Sequence, residues 1–121
     1  MYKRQLLVSG GFTFFTEKLR QQLGFKEAQA NTLEIINGKL TGKVLGKIVD
    51  GIAKAAYLDE ACHSLGCTKV NAITIGDGAN DLIMMNCSGI SIAYKAKPIV
   101  KEKADAAFDR VGLDAALLLI S

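Results

Sequence analysis

The sequence predicts an α/β fold, a parallel sheet with flanking helices and an edge β-hairpin, and three observations carry that reading. Short apolar runs at Gln5 to Ser9 and at Val70 to Ile75 each lead into glycines and then into helical patterning. Asn37-Gly38 lies between apolar, β-branched runs, a strong hairpin signal because both central residues of a type I′ turn need positive φ. The string Gly76-Asp77-Gly78-Ala79-Asn80-Asp81 follows an apolar strand directly, which is where ligands bind in an open α/β sheet.

Composition sets the outer limits. A chain of 121 residues is expected to form a single domain over 1–121, with the hairpin at 32–44 as an insertion. Half of it is hydrophobic and 22% is charged, so a folded globule is expected. The net charge of +3 suits an anionic small ligand, and the scattered basic residues give no reason to expect a nucleic-acid partner. No apolar run approaches the roughly 18–20 residues of a membrane span, so no membrane partner is expected. Cys62, Cys67 and Cys87 form no metal-ligand spacing with the lone His63, and their odd number argues against a disulfide framework. A reduced, cytoplasmic chain is the expectation.

In chain order, the Gln5 to Ser9 strand runs into Gly10-Gly11, and Thr16 to Leu23 has helical spacing with a charged face. A hydroxyl at a strand tip, two glycines and a helix start make a possible anion cradle, with Ser9 and the Gly10 N–H as donors. Taken alone, the same residues read as an ordinary βα turn with Ser9 capping the helix. The hairpin covers Thr32 to Val44, and a helix is predicted from Leu45 to Leu65 with Gly66 as its stop. Lys54 sits early on that helix, where an ammonium pointed toward the strand tips would neutralise a bound phosphate.

At the Val70 to Ile75 strand tip, Asp77 enters a loop whose glycines leave room beside its carboxylate, and Asn80 and Asp81 open a short helix to Asn86. Two carboxylates four residues apart suit a hard cation, Mg²⁺ best. A strand from Ile90 to Tyr94, a helix from Pro98 to Phe108 and a packed terminal helix in the Leu113 to Ile120 run complete the chain.

Taken together, Val8-Ser9-Gly10-Gly11-Phe12-Thr13, the hairpin Leu33 to Gly42, Val49-Asp50 to Lys54-Ala55, Gly76 to Asp81 and Ile92 to Pro98 resemble the bacterial phosphoserine phosphatases of the haloacid dehalogenase superfamily. The resemblance runs through essentially the whole chain in the family's order. It implies a HAD-like parallel sheet and Mg²⁺-dependent hydrolysis of L-phosphoserine through an aspartyl-phosphate, in serine biosynthesis. It further implies that Ser9, Gly10, Lys54 and Asn80 bind the phosphoryl group, that Lys54 and Asp81 serve catalysis, and that Asp77 and Asp81 hold the metal.

The family's first motif, Asp-X-Asp-X-Thr/Val, is absent from the string of 121 residues. The resemblance therefore implies a chain without the nucleophile, its central first strand and most of the cap, inactive alone and prone to self-association or to complementation by an amino-terminal segment. With the central strand missing, its neighbours are expected either to pair directly or to receive a strand from another chain. Ile83 replaces a usual proline and Ala56 a common aspartate. Two other readings stand beside this one: a non-catalytic phosphate- or Mg²⁺-binding interaction module, and a distinct small enzyme using Asp50 or Asp59 as nucleophile.

Overall fold

The computed structural model of the protein describes residues 4–119. Six strands are present among them: β1 (Leu6–Phe12), β2 (Glu27–Ile36), β3 (Lys39–Leu45), β4 (Ile73–Gly76), β5 (Ile90–Tyr94) and β6 (Ala106–Phe108). The α-helices are α1 (Thr13–Leu23), α2 (Gly51–Ser64), α3 (Leu82–Cys87) and α4 (Pro98–Lys103). The chain forms two compact units, Met1–Tyr57 and Leu58–Ser121.

In the first unit the sheet order is β1-β2-β3. β2 pairs parallel with β1 through Leu6↔Glu27, Leu7↔Ala28 and Val8↔Gln29, then antiparallel with β3. The hairpin turn forms as its sequence dictates: Ile36 pairs with Lys39, while Asn37 (φ 52°) and Gly38 (φ 75°) both adopt the left-handed backbone that a type I′ turn requires. β3 is the edge strand, as expected.

Three boundaries differ. β1 runs on through the glycines to Phe12 with a bulge, and α1 begins at Thr13 rather than Thr16. β2 starts at Glu27, five residues ahead of the hairpin run, because its first half is recruited by β1. α2 starts at Gly51 and not at Leu45: Leu45 ends β3, Gly46 turns the chain at φ 66°, and Asp50 Oδ1 accepts the Ala53 N–H at 2.8 Å to cap the helix.

The second unit has the all-parallel order β4-β5-β6. β5 forms over the predicted residues and is its central strand, with Ser91, Ile92 and Ala93 buried. Met85 of α3, Ala93 of β5, Ala96 in the loop after β5 and Val100 of α4 make the core, with Leu82 and Ala104 packed against it. The β4 strand is shorter than predicted. Residues 69–71 form a 3₁₀ turn in which Thr68 and Asn71 cap each other, and Val70 faces solvent. Gly89 comes so close to the Val70 carbonyl that a Cβ there would overlap it.

Two further predictions are corrected. The helix expected to reach Phe108 ends at Lys103, because Asp105 turns the chain onto β5: its Oδ2 accepts from the Ser91 N–H at 2.8 Å and the Ser91 hydroxyl at 3.0 Å. Residues Ala106–Phe108 then add a third parallel strand. The terminal run is a 3₁₀ segment, Leu113–Leu119, in which only Ala116 is buried; Leu113, Leu117, Leu118 and Leu119 are exposed, and Ile120 lies outside the described residues. Among the described residues β1 and β4 belong to separate ladders, so direct pairing, one of the two arrangements expected around the missing strand, is not made.

Candidate functional site

The candidate residues fall into two groups, one in each unit. In the second unit, β4 ends at Gly76 and delivers Asp77 into a loop followed by a 3₁₀ turn, Ala79–Asp81, and α3. Asp81 is buried, and its Oδ2 accepts the N–H of Asp77 at 3.1 Å and of Gly78 at 3.2 Å. One carboxylate oxygen thereby fixes the backbone of the loop. The Asp77 carbonyl accepts the Lys97 N–H at 3.0 Å, which ties the loop to the start of α4. Asp77 and Asn80 remain exposed.

The glycines have different jobs in this loop. A Cβ on Gly76 would stand 2.6 Å from Asp81 Cβ and 2.8 Å from its Oδ2, so the buried carboxylate occupies the space that glycine leaves open. A Cβ on Gly78 would meet only the tip of the Asn80 side chain, at 2.9 Å. The structure thus brings Asp77, Asn80 and Asp81 onto one short segment, with Asp81 inward and the other two outward.

In the first unit, β1 advances four residues from Val8↔Gln29 to Phe12↔Asn31 while β2 advances two. Residues 9–11 therefore bulge out of register. The Ser9 hydroxyl accepts the Gly11 N–H at 2.9 Å, which leaves its own proton to donate. Ser9 is accordingly not a helix cap; α1 begins after Phe12 without a side-chain cap.

Lys54 departs from the solvated lysine common on helices, since it is 6% exposed in the first turns of α2. Burial of an ammonium is tolerated only with compensating polar partners. The carboxylates of the small-enzyme reading have structural employment: Asp50 caps α2, and Asp59 pairs with Lys69 at 3.5 Å. Among the described residues no group of three or more His, Cys, Asp or Glu is arranged to hold a metal ion by itself, and no helix is long and apolar enough to cross a membrane.

Sequence reasoning missed Asn31. This side chain is buried in β2, donates from Nδ2 to the Gly10 carbonyl at 2.9 Å and accepts the Val49 N–H on Oδ1 at 2.7 Å. An asparagine inside an extended run, where that residue is disfavoured, was the available signal.

The family model for haloacid dehalogenase-like hydrolases matches residues 3–86, more than half of the chain. The chain belongs to this family. Within the haloacid dehalogenase-like hydrolases, similar curated relatives include the phosphoserine phosphatase of Polaromonas, 49% identical over 119 residues, and that of Vibrio cholerae, 44% identical over 115. These alignments take in 95% of this chain but 50% and 35% of the two relatives, so the chain spans half of their length or less. An unliganded crystal structure of the probable phosphoserine phosphatase from Vibrio cholerae superposes with a TM-score of 0.92 at 43% identity, over 97% of this chain and 36% of that one. A substrate-bound phosphoserine phosphatase complex superposes at 0.89 with 39% identity, over 96% of this chain and 55% of that one.

Proposed function

We propose that this haloacid dehalogenase-like chain supplies the phosphate- and metal-binding residues of a Mg²⁺-dependent phosphomonoesterase acting on L-phosphoserine. The observation that carries the reading is the loop after β4, where buried Asp81 pins two backbone amides and leaves Asp77 exposed at the strand end. Both side chains offer hard oxygen donors. That set fits Mg²⁺, which takes one or two carboxylates and completes its octahedron with water and phosphate oxygens.

In this reading Asp77 binds the metal and Asp81 supports it while holding the loop. Ser9 and the Gly10 N–H donate to the phosphoryl oxygens, Lys54 neutralises their charge, and Asn80 assists binding. When bound, Mg²⁺ polarises the phosphoryl group. The nucleophilic carboxylate comes from an Asp-X-Asp segment that these 121 residues do not contain, so the chain alone does not turn over. Relatives named phosphoserine phosphatase at 40–49% identity support the substrate, and a cytoplasmic role in serine biosynthesis goes with it.

The test is release of phosphate from L-phosphoserine with Mg²⁺, by the chain alone and mixed with a polypeptide carrying an amino-terminal Asp-X-Asp segment. Activity only on mixing, lost in Asp77→Asn, is the expected result. Mg²⁺ or phosphate binding that never leads to turnover would instead favour a non-catalytic module.

A further inference from the structure

Within the first unit, one buried side chain is bonded to the backbone on either side of the phosphate-binding candidates. Asn31 is 7% exposed, and both polar ends of its amide are used on backbone outside β2. Its donor reaches the Gly10 carbonyl in the bulge of β1; its acceptor takes the Val49 N–H, one residue before the Asp50 cap of α2. The two segments it joins lie against each other, since a Cβ on Gly10 would stand 3.6 Å from the Val49 carbonyl oxygen.

The bond to Gly10 controls more than one atom. The Gly10 carbonyl and the Gly11 N–H belong to a single planar peptide unit, so they point in opposite directions. Asn31 holds the carbonyl edge of that plane, and the Ser9 hydroxyl accepts from the N–H edge at 2.9 Å. Rotating the plane would break both bonds. The ladder to β2 cannot fix it, because residues 9–11 are the ones that leave register. On its other side, holding the Val49 N–H sets where α2 starts, and Lys54 follows within that helix's first turns.

We propose that Asn31 is a positioning residue for phosphate binding: it orients the Ser9 hydroxyl through the Gly10–Gly11 peptide and sets the α2 start that carries Lys54. This deepens the function proposed above and rests on it. Asn31 itself need not touch the phosphate. Its effect passes through the backbone at Gly10 and Val49.

The experiment is an orthophosphate titration of the full chain, read by amide NMR, with Asn31→Ala and Asn31→Asp. Asn31→Ala removes both bonds. Asn31→Asp keeps an acceptor for the Val49 N–H and sets an oxygen against the Gly10 carbonyl, so it separates the two ends of the amide. In the unaltered chain orthophosphate moves the Gly10 and Gly11 amides. Both variants are expected to keep a dispersed spectrum and to bind orthophosphate at least tenfold more weakly; the Val49 amide loses its exchange protection in the alanine variant and retains it in the aspartate one. A side chain that merely stabilises the fold would lower the melting temperature and leave the affinity of the folded chain unchanged. Affinity within twofold of the unaltered chain in either folded variant therefore overturns the proposal. If orthophosphate moves no amide in the unaltered chain, the proposed function fails. The positioning role falls with it, whereas binding by the unaltered chain that either folded variant keeps overturns positioning alone.

Discussion

Gly76 and Gly78 flank the same aspartate, yet their surroundings assign them different sensitivities. Alanine at Gly76 would drive its methyl into the buried Asp81 carboxyl, whereas at Gly78 it would meet the end of an exposed Asn80 side chain that can swing aside. Overpacking of a fixed group costs about 1–3 kcal/mol. Gly76→Ala should therefore lower the urea midpoint clearly, and Gly78→Ala should lower it much less; equal shifts would show that Asp81 is not held as described. A second residue-scale expectation concerns Cys62. Burial first, and then its hydrogen bond with the Cys67 side chain, push this thiol above the usual 9.0. The folded chain thus holds the proton more tightly than the unfolded one. That contribution is fully present below the ordinary thiol value and is lost as pH rises through the raised one. Iodoacetamide should modify Cys62 more slowly than a free thiol at pH 8 by mass spectrometry, and Cys62→Ala should flatten the fall in stability as pH rises above the ordinary thiol value of 9.0. Among these residues Asp77 and Asp81 were legible because strand, glycine and carboxylate stand in one contiguous string. Asn31 was not, because its partners are 21 and 18 residues away.

At the scale of elements, α2 shows how a cap outranks periodicity. Apolar spacing extended the helix back to Leu45, but Gly46 and the Asp50 cap start it at Gly51. Replacing a capping aspartate by alanine costs about 1 kcal/mol, and asparagine caps as well as aspartate. Asp50→Ala should lower the melting temperature by a few degrees while Asp50→Asn leaves it nearly unchanged, measured by circular dichroism. The helix after Pro98 is likewise shorter than its spacing predicts: alanines suited to a helix are drawn into β6 by pairing with β5 and by the two bonds that Asp105 accepts from Ser91. Propensity of that kind is a weak prior once a ladder partner is available.

Across the whole molecule, apolar side chains remain at the surface in organised stretches. Phe15, Leu19 and Leu23 stand at helical spacing along α1 and are 62%, 43% and 60% exposed, beside Phe14 at 65%. A stripe so arranged normally faces a core, and an exposed one marks a surface for association. Sedimentation should show an average mass that rises with protein concentration, and Phe15→Ser with Leu19→Ser should suppress the rise without unfolding the chain. A mass independent of concentration would contradict it.

What the sequence by itself determined is local: the Asn37-Gly38 turn, the β5 strand and the aspartate loop at the end of β4. Each depends on the φ preferences or periodicity of a few adjacent residues. Only the tertiary structure decided the bulge in β1, the parallel half of β2, the addition of β6 and the exposure of the terminal leucines. Those depend on ladder partners, and on covering surfaces, that lie far along the chain or are not specified by any short stretch of it; backbone groups pair with whatever strand the fold brings to them.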